Sequence, residues 1–318
     1  MKIWFHRYEL HPRWPPNART ARAPRTGALL RIGQGYADLH PWPELGDAPL
    51  ETHLDSLRAE EPSPLATRSI RCAAIDGESR EAGYSLFGDL KIPPSHFPLG
   101  PIDRVIDLPI LEAAGYDRLK IKLGNDAVHD SELLMERSAA ILSLGFRLRL
   151  DFNSAYGLAE IDQFLSAISS TLRSRIEFLE DPAPADSGLW RRIRSRWKIP
   201  IAADREKPAP DSWDIAVIKP ASEDDSVIED AIAAKKPVVI TSAMDHPLGQ
   251  MWAAWNAATL WRDRPKSLLP CGLLSHDSYE TNSFSEIIRV DGSRLLPVGG
   301  TGLGFDEQLE SLDWRPLR

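Results

Sequence analysis

Cysteine is scarce. Cys72 and Cys271 are the only two in 318 residues, and neither stands in a Cys-x-x-Cys pair. A disulfide framework and a cysteine-ligated zinc site are therefore excluded, and a reducing, cytoplasmic setting is expected. Long apolar runs are missing too. None approaches the ~18 residues of a membrane span, and Met1–Tyr8 lacks the apolar core of a secretory signal. Positive charge is not in excess. The net charge is −8, which argues against nucleic acid as the main partner. A small anionic substrate remains compatible, because local cations or a bound metal decide that. No repeat of fixed period and no low-complexity tract is present.

What the chain does have is enough apolar residue, 42%, for a sizeable core, and a length that suits two domains or one α/β barrel with an addition. Residues 1–97 read as α+β. Strands are expected over 1–10, 27–33 and 36–39, as an antiparallel meander, and helices over 50–60 and 65–75, with Cys72 on a buried face. The Pro- and Arg-rich segment 11–25 reads as a loop. From residue 98 the pattern becomes alternating strand and helix with short connections, the mark of a parallel sheet. Helices are expected over 130–144 (Asp130 as cap, Gly145 as stop), 158–172, 189–197, 224–234 and 247–260. About eight strand candidates argue for closure into a barrel over 98–282. The tail, 283–318, returns to strand-like pieces and is expected to complete the first domain.

Five of the barrel strands share one grammar, a short apolar run ending in a charged residue. They are Arg118–Gly124, Arg147–Asn153, Glu177–Pro182, Ile199–Asp204 and Ile215–Pro220. Barrel strands look like this when their C-terminal ends carry a site. Strand residues two apart share a face, so Lys120 and Lys122 project together, as do Arg149 and Asp151, with Asn153 continuing that face. Asp151, Glu180 and Asp204 end three consecutive strands, spaced to converge on one hard divalent cation. All-oxygen ligation favours Mg²⁺, or Mn²⁺, over Zn²⁺. Lys219 ends the next strand, across the metal from Lys122. A lysine shielded from water beside other lysines gives up its proton more readily, so it suits proton abstraction next to a carboxylate.

Lys120-Ile-Lys122, Asp151-Phe-Asn153, Glu180-Asp-Pro182, Asp204 and Lys219-Pro220, in this order, resemble the enolase superfamily, muconate-lactonizing subgroup. The resemblance covers nearly the whole chain. It implies a modified TIM barrel, (β/α)7β, with an α+β capping domain. Within the superfamily the pattern is most similar to the o-succinylbenzoate synthase family, on Leu148–Asn153, Ile176–Pro182 and Val239–Gly249. That implies a Mg²⁺-dependent hydro-lyase of menaquinone biosynthesis acting on a small cyclohexadiene carboxylate. Lys122 would remove the α-proton and Lys219 would stabilise the enediolate as a cation. Asp151, Glu180 and Asp204 would hold the metal, supported by Lys120, Arg149 and Asn153. One departure is Arg205, where the family has an acidic residue after the third ligand.

Two other enzymes of the scaffold, an N-succinylamino acid racemase and a dipeptide epimerase, use the same lysine pair. Dipeptide epimerases carry an Asp-x-Asp near the eighth strand, which Leu269–Ser275 lacks. A barrel that binds without catalysis would have lost a lysine or ligand, and none is lost. Thr241 and Ser242 either contact the succinyl part of the substrate or cap the following helix. Arg19, Arg22 and Arg25 lie in the loop that covers the site in similar proteins, and read as solvated unless they clamp a carboxylate. Gly299–Gly304 reads as a turn, His246 as a surface-loop histidine, and Trp252, Trp255 and Trp261 as core or interface.

Overall fold

The computed structural model describes residues 2–17 and 20–318. Three antiparallel strands open the chain: β1 (Ile3–Leu10), β2 (Arg25–Ile32) and β3 (Gly35–Leu39). Arg315–Pro316 pairs with the other edge of β1, so the last residues join the first sheet. Two helices, α1 (Leu50–Arg58) and α2 (Pro64–Glu81), cover one face. α2 runs past the 65–75 expected for it, capped by the Ser63 hydroxyl, and buries Cys72. β3 approaches α2 so closely that a Cβ on Gly35 would lie 1.7 Å from the Ala73 carbonyl oxygen.

The second layer is a parallel sheet of seven strands in sequence order: β4 (Phe97–Pro101), β5 (Arg118–Lys122), β6 (Arg147–Asp151), β7 (Ile176–Glu180), β8 (Ile201–Ala203), β9 (Ile215–Ile218) and β10 (Val238–Ile240). Residues 268–272 close it. Leu269 and Gly272 N–H groups donate to Val238 and Ile240 of β10 at 2.8 and 2.9 Å. On the other side Cys271 donates to Pro94 at 2.8 Å and accepts from His96 at 2.9 Å. These residues form an eighth stave held by isolated bridges on both edges. The fold is thus α/β, a closed (β/α)7β barrel with an α+β cap. Outward residues such as Leu119, Ile121, Leu148 and Leu150 are fully buried under the helices, which leaves Lys120, Lys122, Arg149 and Asp151 to the inward face, alongside a separate buried apolar cluster of Phe178, Ala202, Ile215, Val217 and Val239 from β7 to β10.

The helices between staves are α3 (Leu108–Ala113), α4 (Ala127–Glu136), α5 (Ser138–Ser143), α6 (Leu158–Ala167), α7 (Ser170–Arg173), α8 (Ser187–Trp197), α9 (Asp225–Ala233) and α10 (Pro247–Asp263). The single helix expected over 130–144 is two, α4 and α5, and its cap is Asp126, which accepts from His129 N–H at 2.8 Å. Asp130 lies inside α4 and is buried. It takes the Gly124 N–H at 2.8 Å and the Tyr156 hydroxyl at 2.6 Å, pinning the loop after β5. The segment expected at 158–172 likewise divides into α6 and α7.

Candidate active site

The registers of the parallel staves bring the charged ends together. Lys122 stands beside Asp151 and Asp151 beside Glu180. Glu180 pairs with Ala202, and Asp204 follows two residues on, one stave further. Lys219 follows β9 directly. Alternation buries Leu119 and Ile121 and turns Lys120 and Lys122 inward, as the period of a strand requires.

Every charge at these ends has a partner. Lys120 Nζ lies 2.6 Å from Glu180 Oε1 and 2.9 Å from Asp151 Oδ2. Lys122 Nζ lies 2.5 Å from Asp151 Oδ2 and donates to Asn153 Oδ1 at 3.3 Å. Lys219 Nζ pairs with Asp204 Oδ1. The lysines therefore lie against carboxylates more than against each other, whereas the sequence reading stresses the neighbouring lysines. Burial works against the charge on Asp151, but Lys120 and Lys122 outweigh it and hold its carboxyl well below the usual range. Glu180 moves the other way, pushed up by burial and by the Asp151 charge in spite of Lys120.

One cationic atom, Lys120 Nζ, thus already serves two of the three acids. The donor set is carboxylate oxygen without thiol or imidazole, the chemistry of Mg²⁺ or Mn²⁺. As the side chains stand, the acids face the lysines, and among the described residues no three acid, imidazole or thiol groups gather around one point.

Arg149 does not touch the three acids. It is fully buried below them, donating to Glu177 Oε2 at 2.7 Å, Pro270 O at 2.7 Å and His96 Nδ1 at 2.9 Å. Arg205 points to the cap and donates to Leu45 O at 3.1 Å, so the cation that departs from the family pattern ties cap to barrel. Thr241 and Ser242 are both buried at the stave end. Ser242 shares a 2.7 Å hydroxyl contact with Ser275, and the Thr241 hydroxyl has no partner among the described residues. The cap of α10 comes instead from His246, whose Nδ1 accepts from Leu248 N–H at 3.2 Å. His246 is buried against Tyr8 and Phe284, not a surface-loop residue.

Above the charges opens a cleft continuous with solvent. Its walls include Trp14, Trp42, His96, Arg205, Thr241 and Ser275. The loop before β2 does cover the site: Trp14 lies over Gly100, where a Cβ would come within 2.8 Å of the indole nitrogen, and Arg104 stacks on Trp14 at 3.9 Å. Arg22 is held by Pro12 O at 2.8 Å. Arg25 is buried, paired with Glu44 and stacked on Trp42 at 4.4 Å. Arg19 lies outside the described residues.

Several supporting residues have no role in the reading of the sequence. Asp181 sits at φ 41° and accepts the Asp204 N–H at 3.0 Å, bracing the third acid, and burial and the Asp204 charge push its carboxyl up. Lys207 binds Asp204 O at 2.5 Å and Glu223, which accepts the Lys219 N–H at 2.8 Å. The Asp-Pro step after Glu180 was a signal for the first; the others depend on contacts between separate loops.

The O-succinylbenzoate synthase N-terminal domain family matches residues 3–79, and the enolase C-terminal domain-like family matches residues 108–212. A protein of Bdellovibrio bacteriovorus named o-succinylbenzoate synthase is 33% identical, over 100% of this chain and 99% of that protein. The chain belongs to the o-succinylbenzoate synthase family, in the enolase superfamily. It is an enzyme, a lyase. The fold of this family member is shared more widely. The 2-chloromuconate cycloisomerase of Rhodococcus opacus 1CP superposes with a TM-score of 0.77 at 18% identity, covering 98% of each chain. The L-Ala-D/L-Glu epimerase of Bacillus subtilis gives 0.73 at 18%, covering 95% of this chain and 97% of that one.

Proposed function

We propose that the protein is an o-succinylbenzoate synthase of menaquinone biosynthesis, dehydrating 2-succinyl-6-hydroxy-2,4-cyclohexadiene-1-carboxylate to 2-succinylbenzoate. The observation that carries this is the order around the barrel: Lys122, then Asp151, Glu180 and Asp204 on successive staves, then Lys219. The full-length relative of that name supports the choice of reaction.

Asp151, Glu180 and Asp204 would hold Mg²⁺, with Mn²⁺ as a substitute. When bound, the ion neutralises the substrate carboxylate and lowers the cost of placing a second negative charge next to it. Lys122 takes the proton from the ring carbon bearing that carboxylate. Lys219, facing it from four staves on, holds positive charge against the electron-rich carboxylate that results. As the carbon–oxygen bond at the neighbouring position breaks, the pair from the lost C–H bond becomes a ring double bond. Lys122 returns its proton to the departing hydroxide on the same face, so water leaves and the ring becomes aromatic. Aromatisation drives the loss of water, so the protein has mainly to make the first proton removable. Asn153, which accepts from Lys122 Nζ, and Lys120, which bridges Asp151 and Glu180, keep the donor and the acids in place.

The racemase and dipeptide-epimerase readings rest on the same lysines, and no residue on the eighth stave favours a substrate ammonium. The deciding experiment is turnover of the cyclohexadiene substrate with and without EDTA, in wild type and Lys122→Ala. Loss of general-base catalysis should cost at least about a hundredfold. Undiminished turnover in either test defeats the mechanism. Racemisation of N-succinylamino acids without dehydration moves the assignment to the racemase.

A further inference from the structure

Walking around the barrel, the acids occupy the third, fourth and fifth staves, β6 to β8. The opposite wall is made where the barrel closes, from the residue before β4, the residue after β10 and the eighth stave: His96, Thr241 and Gly272. This wall is uncharged, and all three of its members border the cleft.

His96 is 4% exposed. Its Nδ1 lies 2.9 Å from Arg149 Nη1. A guanidinium nitrogen can only donate, so Nδ1 must present its lone pair. The remaining proton of the neutral ring is then on Nε2, and the tautomer is fixed from below by Arg149. Arg149 is fully buried and held in turn by Glu177 and Pro270, so this orientation is rigid. Burial and the charge of Arg149 both disfavour a second proton, which keeps the ring neutral. The Cε1–Nε2 edge rests on Gly272, where a Cβ would come within 2.8 Å of Cε1 and 3.1 Å of Nε2. Only glycine lets the ring lie there. Nε2 has no hydrogen-bond partner in the protein among the described residues, nor is it one of the buried nitrogens sealed from solvent. It is a donor open to the cleft.

We propose that His96 is a substrate-binding residue: its Nε2–H donates to an oxygen of the substrate side chain, the succinyl group, on the wall opposite the three acids. A neutral, tautomer-locked imidazole is suited to this. It offers a hydrogen bond without a proton that can be lost to the substrate, so it recognises a carbonyl or carboxylate oxygen and takes no part in the elimination. The proposal rests on the dehydratase reading for the identity of the side chain, and not for the donor.

The test uses ¹⁵N-histidine-labelled protein and two probes, 2-succinylbenzoate and benzoate. Long-range ¹H–¹⁵N spectra, with the His96 signal assigned by its absence in His96→Gln, should show the Nε2–H tautomer, unchanged between about pH 5.5 and 8.5. Titration calorimetry should show His96→Leu binding 2-succinylbenzoate about tenfold more weakly, the value of one hydrogen bond, with benzoate unaffected. His96→Gln, whose amide can accept from Arg149 and donate to the cleft, should recover most of the loss. A wild type that binds the two probes equally overturns the proposal. So does a His96→Leu protein that binds 2-succinylbenzoate as wild type does, or a His96 ring that is cationic or protonated at Nδ1 near neutral pH. If His96→Leu does not fold, the wild-type Nε2–H resonance decides: it should shift on adding 2-succinylbenzoate and not benzoate. Turnover of the cyclohexadiene substrate by wild type is scored separately. Its absence removes the dehydratase reading and leaves the donor to be judged by tautomer and affinities.

Discussion

Asp38 of the cap and Asp245 of the barrel face each other across Gly249. A Cβ on that glycine would lie 2.8 Å from the Oδ2 of Asp38 and 2.4 Å from that of Asp245. Asp38 also accepts from the Tyr8 hydroxyl at 2.6 Å and the His246 N–H at 3.0 Å. Burial pushes the Asp38 carboxyl up to about 7, and burial together with the Asp38 charge pushes Asp245 well above the usual range.

A pH dependence of stability follows. The unfolded chain releases an Asp proton near pH 4, while folded Asp38 keeps it to about 7. Between those values the folded state binds more protons, so raising the pH lowers stability across this window. Asp38→Asn should flatten that slope in urea midpoints measured from about pH 4.5 to 7.5. An unchanged slope would remove the pair as its source.

Lys120 is the cation between Asp151 and Glu180. Replacing it by Met leaves Glu180 without its cation and Asp151 with Lys122 alone, a cost of about 3–5 kcal/mol. The melting temperature of Lys120→Met should drop in EDTA and recover in part with Mg²⁺. A variant as stable as wild type in EDTA would mean the bridge carries no weight.

Mg²⁺ itself should stabilise the wild type. At a hundred times its dissociation constant, linkage gives about 2.7 kcal/mol. Differential scanning fluorimetry should show the shift, and Glu180→Gln should shrink it. An equal shift in both proteins places the ion elsewhere.

Gly35 is required by space. A methyl there meets the Ala73 carbonyl at 1.7 Å and the Gly77 nitrogen at 2.7 Å, both backbone atoms that cannot swing aside. Gly35→Ala should therefore cost roughly 1–3 kcal/mol or more, as overpacking does. Retained unfolding midpoints would mean that α2 can shift on the sheet without penalty.

The strand ends were legible because a strand has a period of two and parallel registers are short-range. Lys120 and Lys122 announce an inward polar face, and Asp151, Glu180 and Asp204 recur at equivalent points of successive units. What the local pattern hides are residues defined by contacts distant in sequence. His96 gains its meaning from Arg149 and Gly272. His246 looks like loop and is buried because Tyr8 of the cap and Phe284 of the tail pack on it. Asp130 resembles a helix cap in the sequence, yet its carboxylate is claimed by Gly124 and Tyr156. Arg149 shares a strand face with Asp151, but its long side chain turns to Glu177 instead.

The eighth stave has a kinetic consequence. Residues 268–272 are gripped by β10 on one side and by residues 94–96 on the other, so the ring is sealed by pieces from opposite ends of the barrel sequence. Until that pairing forms, the folding chain presents two unpaired strand edges, at β4 and at β10. Such edges invite pairing with a neighbouring chain. Ring closure is then the step at which productive folding and aggregation compete, and yield on refolding should fall with protein concentration more steeply than final stability suggests.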